Sequence, residues 1–439
     1  MEPTPGARLV RGLRRWDLVA LVINSIIGAG IFGLPARVFA LAGTYSLLAY
    51  LVAAAAIGLV ILCFAEVGSR FKATGGPYLY ARETFGPLVG FQVGWLLWLG
   101  RIAAFASLTN LFVGYLGYFI PGVGDAPWRS AVIAAIIAAL AAVNIAGVRV
   151  AATVTNALTI GKLIPLCVLI VVGVFYIAPH RYSLDTLPTY GSFSQAALLL
   201  VFTFMGFEGA SIPTGEVRDP VRHLPFALLT GMSVVTIVYV SVQTVCIGTV
   251  PGLALSQRPL ADAGVQFLGT PGAALISVGA LVSIGGTLNA LMFATPRLLF
   301  AMSENGQLPA VFVATHPRFR TPMLAIVLTA AITLTLALFS TFISALTIST
   351  VVRLMAYMST CAALPVLRHN PRFQRPPFVV PAGVVVSIVA VALSVWLLSN
   401  APWSEVRLAA LAVLLGLVVY AVCARGSRQP RSAAGAIGH

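Results

Sequence analysis

From Trp16 to Cys423 the chain is a succession of long apolar runs, and this patterning constrains everything else. A run of about 20 apolar residues has the length of a bilayer-crossing helix. Of 439 residues, 59% are hydrophobic and only 9% are charged, more apolar surface than a soluble fold needs. The chain therefore reads as an all-α polytopic membrane protein. The first run is long and is followed by many others, so it reads as a spanning helix and not as a cleaved signal peptide.

Twelve spans are expected, at 16–36, 43–68, 87–120, 128–147, 151–178, 192–214, 225–250, 271–303, 321–339, 342–366, 378–399 and 403–424. Spans 3 and 8 are long enough to tilt strongly or to project from the bilayer. The net charge of +15 is carried almost wholly by arginine. Arg101, Lys162, Arg297 and Arg353 fall within or at the ends of spans, and Arg37, Arg129, Arg181, Arg258 and Arg407 fall in segments assigned outside. The remaining eighteen basic residues fall in segments assigned inside. This is the positive-inside asymmetry, which explains the basic balance without nucleic acid and puts both termini in the cytoplasm. Residues 1–15 form an N-terminal tail, and 425–439 an Arg/Ser/Ala/Gly-rich tail of disordered composition.

Cys63, Cys167, Cys246, Cys361 and Cys423 sit in or at the ends of apolar runs at unrelated spacings, which is neither a disulfide framework nor a metal site. The histidines lie near loops or the terminus without ligand spacing. No nucleophile–base pair and no phosphate-cradling loop is visible, so neither an enzyme nor a cofactor is expected.

Within span 1, Asn24–Pro35 carries Gly28, Gly30, Gly33 and Pro35. Each glycine costs about 1 kcal/mol relative to alanine inside a helix. A broken helix is tolerated in lipid only against protein or a watery cavity. Gly28-Ala29-Gly30 is either such a break, turning N–H groups toward a ligand, or a close-packing glycine seam. Span 6 is glycine-interrupted too, in Phe204-Met205-Gly206-Phe207-Glu208-Gly209-Ala210-Ser211. Paired interruptions in the two halves of a chain point to a transporter site at the bilayer midplane and favour the break. Half-helix N-termini attract an anion and exposed carbonyls a cation, so a small zwitterion fits both.

Four landmarks in order carry a family resemblance: Ile26–Pro35; Ala65-Glu66-Val67 with Thr74–Tyr80 and Phe85-Gly86-Pro87; Phe204–Ser211 with Gly215–Pro220 and Leu224-Pro225; and Arg297–Gly306 with Leu308-Pro309. On these the chain resembles the amino acid–polyamine–organocation superfamily of permeases. The resemblance implies a LeuT-type fold: a five-helix repeat at 16–178, its inverted counterpart at 192–366, and two further helices in 378–424. It implies alternating access and an amino acid or amine as substrate. Carried over residue by residue, Ala29 and Gly30, in the break opened at Gly28, would donate backbone N–H to the substrate carboxylate. The carbonyls of Ile26, Phe202 and Met205, beside Gly206, would accept from its ammonium. The Phe202 ring is either an aromatic gate or a packing aromatic. Some family members pair with a glycoprotein through a cysteine between spans 3 and 4. The segment around Pro121–Pro127 has none, so no disulfide-linked subunit is expected.

Ionisable residues inside a membrane are functional candidates by default. Lys162 lies in span 5. Its ammonium can replace a bound sodium ion, and a lysine out of water can release and regain a proton. Several proton-coupled or sodium-independent family members are similar in having a lysine here; the alternative is a permanent charge tying span 5 to span 1 carbonyls. Glu208 is open to proton uptake, to orienting the unwound segment, or to neutralising Arg101 or Lys162. A pocket-facing Arg101 would repel cationic substrates and favour neutral or acidic ones; family members for neutral amino acids resemble this chain in carrying a basic residue here, so Arg101 argues against cationic substrates more firmly than for acidic ones. Arg297 and Arg353 read as inner-gate ion pairs or snorkelling side chains, with Glu66, Glu216 and Glu304 as available partners. Asn24, Ser25 and Asn289 are either pocket-lining or interhelical hydrogen-bond groups.

The leading expectation is a secondary active permease of a bacterial inner membrane for neutral amino acids, sodium-independent, with proton coupling left open. An exchanger, including one for acidic amino acids, stands beside it. A channel would need a continuous polar stripe that no span offers.

Overall fold

The computed structural model describes residues 12–117, 119–125, 127–184, 186–256, 258–340, 342–371, 376–400 and 403–427. The expected tails at 1–11 and 428–439 lie outside the described residues. The described residues form fifteen α-helices joined by turns and short 3-10 segments. In chain order they are α1 (Arg15–Ile26), α2 (Ala29–Gly33), α3 (Pro35–Ala42), α4 (Ser46–Gly68), α5 (Pro77–Phe85), α6 (Pro87–Leu116), α7 (Trp128–Ile145), α8 (Val148–Gly173), α9 (Tyr190–Phe204), α10 (Pro220–Thr249), α11 (Pro259–Glu304), α12 (Met323–Phe339), α13 (Phe342–His369), α14 (Gly383–Ser399) and α15 (Trp403–Ser427). Among the described residues, ten helical stretches are long and apolar enough to cross a membrane. Two further apolar helices, α12 and α14, have 17 residues each.

Proline fixes many of these starts. It stands at the head of α3, α5, α6, α10 and α11, where its missing N–H has no intrahelical partner to lose. Helical pieces extend beyond the expected spans, among them most of α3, at Pro35–Ala42, between the first and the second. α5 forms in the link between the second and third runs, begun by Pro77 and closed at Gly86. α11 begins at Pro259, outside the expected 271–303, and is interrupted at Gly269, whose φ of 64° is not helical. Leu13, expected in a tail, is buried. Its N–H donates to the Glu216 carbonyl at 3.0 Å and its own carbonyl accepts from Arg218 N–H at 3.1 Å.

Two interruptions organise the interior. Helical geometry stops at Ile27, whose ψ of 94° is extended, and resumes at Ala29. α9 stops at Phe204, and the chain continues through Met205 and Gly206 into a short 3-10 segment, Phe207–Ser211. α1 packs against α8, α10 and α11 and against Phe207–Ser211, while α2 packs against α9 and α11, so the two interruptions face each other. α6 and α13 close the same region from another side.

Gly206 is where the two breaks meet. Its φ is 122°, which a side chain rarely adopts. A Cβ there would collide with the Ser25 carbonyl of α1. Gly206→Ala therefore carries both backbone strain and overlap, a cost of about 2 kcal/mol or more. The expected result is a clear drop in the detergent melting temperature. Gly58, whose added Cβ would meet open space, provides a control: Gly58→Ala should leave the melting temperature near wild type.

Candidate functional site

Ending α1 in mid-structure strands main-chain carbonyls that must find donors. The Asn24 carbonyl receives Lys162 Nζ at 3.1 Å and lies 2.8 Å from the Thr287 hydroxyl. The Ile27 carbonyl is also bonded by Lys162 Nζ, and the hydroxyls of Ser283 and Thr287 lie 3.2 and 3.0 Å from it. The Ile26 carbonyl receives the Tyr239 hydroxyl at 2.9 Å. Lys162 is fully buried, and these partners are oxygens of α1 and α11 with no carboxylate among them. It therefore occupies a cation position made of neutral oxygens and ties α8 to the end of α1. It does not pair with Glu208.

Glu208 follows the second break and is also fully buried. Its Oε1 takes Arg101 Nη1 at 2.8 Å and Arg353 Nη2 as well. Its Oε2 accepts the Gly206 N–H at 3.1 Å and the Tyr357 hydroxyl. One carboxylate thus holds the unwound segment against α6 and α13. Arg101 also donates from Nε to Thr295 at 3.2 Å.

Between the breaks lies a chamber lined by Ser25, Ile26, Gly28, Gly30, Arg101, Ala104, Leu108, Phe202, Thr203, Met205, Gly206, Thr287, Leu291 and Arg353. It holds about 420 Å³ of empty space, its opening included. The sequence-derived residues Ile26, Gly28, Gly30, Phe202, Met205, Gly206 and Arg101 all lie on its wall. Ala29 opens α2 immediately beside it. Glu208 sits behind the wall, and Lys162 beneath the α1 break through Thr287. The break and the glycine seam prove to be one feature. A Cβ on Gly30 would stand 2.7 Å from Thr203 Cγ2, and one on Gly28 3.0 Å from Thr287 Oγ1.

Some expectations need correcting. Arg353 pairs with none of Glu66, Glu216 or Glu304; it lines the chamber and pairs with Glu208. Arg297 does take Glu216, at 3.0 Å. Glu66 goes instead to Arg70 and Arg368, at 3.2 and 2.6 Å. Ser25 lines the chamber. Asn24 instead donates to the Gly286 carbonyl at 2.9 Å, and Asn289 bonds Asn144, Ala151 and Thr155, so both are interhelical groups. Thr203, Tyr239, Thr287 and Tyr357 were not singled out by sequence. A hydroxyl in an apolar run carries no mark of direction in the sequence, and only the fold turns these residues inward.

A many-helix membrane protein with two facing helix breaks around one chamber has the arrangement of a carrier of small solutes. The chain belongs to the amino acid permease family, whose sequence model matches residues 13–423. It is 30% identical over 407 residues to the serine/threonine exchanger SteT of Bacillus subtilis, covering 91% of this chain and 93% of that protein. It is 28% identical over 433 residues to the methylthioribose transporter of the same organism, covering 95% and 94%. It is 26% identical over 439 residues to that organism's branched-chain amino acid permease BcaP, covering 95% and 94%. The chain is thus an integral membrane permease, and these relatives are named as transporters, not as enzymes.

Removing the charge of Glu208 would leave two guanidiniums buried without their anion. Breaking a buried pair in this way costs about 3–5 kcal/mol. Glu208→Gln should therefore melt many degrees below wild type in the same detergent, whereas Glu83→Gln, at a half-exposed pair with Arg82, should melt with it.

Proposed function

We propose that this chain is a secondary active, sodium-independent amino acid permease that works by alternating access and excludes cationic amino acids. The observation that carries the reading is the facing pair of breaks at Ile27–Gly28 and Met205–Gly206 around one chamber. N–H groups at the start of α2, from Ala29 and Gly30, would take the substrate carboxylate. The carbonyls of Ile26, Phe202 and Met205 would take its ammonium. The Ile26 carbonyl already accepts from Tyr239 and the Phe202 carbonyl from Met205 N–H, but a carbonyl has two lone pairs and each retains one.

In this reading α12 and α14 complete twelve crossings, since 17 residues span about 26 Å. The repeats at 16–178 and 192–366 form a LeuT-type inverted pair, followed by the helices of 378–424. Both termini face the cytoplasm and the membrane is the bacterial plasma membrane, as the arginine asymmetry suggests. Lys162 supports sodium independence, because its ammonium fills the oxygen cluster where a coupling cation would sit. It also offers a proton-coupling group. The exclusion of cationic amino acids rests on Arg101 and Arg353 on the wall. The serine/threonine exchanger and the branched-chain permease among the relatives are in keeping with such a substrate range.

Proteoliposomes loaded without sodium and given an inward proton gradient test this. Uptake of one or more non-cationic amino acids is expected, raised by the gradient, with arginine and lysine excluded. Preferred uptake of arginine, or a strict sodium requirement, would contradict the reading. In Lys162→Ala the response to external pH should disappear. A pH response equal to wild type would remove Lys162 from coupling.

A further inference from the structure

We infer that the chamber is built for an amino acid whose side chain ends in a carboxylate, with Arg101 and Arg353 as its specificity-determining residues. This rests on reading the chamber as an amino acid site, and it narrows the substrate class from non-cationic to acidic.

The first ground is charge. Arg101 and Arg353 both line the chamber, and the one carboxylate that pairs with them, Glu208, does not. Among the described residues, none that lines the chamber is acidic. Two guanidiniums against one carboxylate leave one positive charge uncompensated at the wall. Glu208 has no capacity to absorb more. It already accepts from Arg101, Arg353, Tyr357 and Gly206 N–H, and a carboxylate offers about four acceptor positions.

The second ground is hydrogen bonding. Among the described residues, Arg101 Nη2 and Arg353 Nε are buried with no hydrogen-bond partner. Buried donors are satisfied in the great majority of cases, and a charged one left unpaired is costly. Gly209 leaves room for the Arg101 head, since a Cβ there would stand 2.9 Å from Nη2. A carboxylate supplies the negative charge that the count lacks. An amide or hydroxyl supplies none, and a cationic side chain adds to the excess. The wall also carries Ala104, Leu108 and Leu291, apolar surface suited to the methylenes of a short dicarboxylic amino acid.

The test compares L-aspartate and L-glutamate with L-asparagine and L-glutamine, which keep the shape and lose the charge. Binding is read on the full-length protein by thermal stabilisation, and transport by uptake into proteoliposomes, each in chloride and in gluconate. The acids are expected to bind about tenfold or more tightly than their amides, in either salt. In Arg101→Gln the preference should fall to near unity while amide binding persists. Amides equal to or better than the acids in the wild type overturn the inference and leave the permease reading intact; that comparison decides even where the variant does not fold. Neutral amino acid binding that requires chloride also overturns it, because the compensating anion is then inorganic. A folded Arg101→Gln protein with an unchanged acid preference removes Arg101 from the role. No binding of any amino acid would instead overturn the permease reading itself.

Discussion

The structure depends on how main-chain carbonyls and N–H groups are satisfied where a helix is cut inside a membrane. Lipid offers no partners, so each stranded group must be met by protein or left facing an enclosed space. At the end of α1, Lys162, Tyr239, Ser283 and Thr287 meet the carbonyls of Asn24, Ile26 and Ile27. Those donors come from α8, α10 and α11. The cut therefore needs three other helices in register, which is why the interior is built around it. At the second cut Glu208 takes the Gly206 N–H and pins the segment to α6 and α13.

The two buried charge clusters divide the work. Lys162 is held by neutral oxygens, so its own environment decides whether it carries a proton. Glu208 is held between two arginines and stays paired, which makes it a brace for the unwound segment and for the guanidiniums in front of it. Nearer the helix ends, Arg297 with Glu216 and Glu66 with Arg70 and Arg368 link α11, α4 and α13 to the connecting segments.

Most of the helices were legible because bilayer length, terminal prolines and glycine interruptions leave local marks. Gly28, Gly30 and Gly206 could be read as breaks because glycine is costly where no break is needed. Charged residues in apolar runs marked themselves as well, and Arg101, Lys162 and Glu208 all fall at or behind the chamber. Their partners were not legible. Arg353 lies 145 positions from Glu208, and no periodicity distinguishes a side chain turned toward α6 from one turned toward an inner gate. Tyr239, Thr287 and Tyr357 were hidden for the same reason: hydroxyls on long apolar helices look alike until packing orients them. The helix after Pro259 was missed because its apolar run is short, carries Asp262 and Gln266, and is cut off by Gly269 and Pro271.

The central claim is that the two breaks grip the common ends of an amino acid, its α-carboxylate and its α-ammonium. The direct measurement is thermal stabilisation of the purified protein by the best-binding free amino acid, by its α-methyl ester and by its N-acetyl derivative. Ligand binding to the native state raises the melting temperature. The account predicts stabilisation by the free amino acid and none by either blocked form at the same concentration. Equal stabilisation by all three would mean that the breaks do not hold the α-groups, and the account would be wrong.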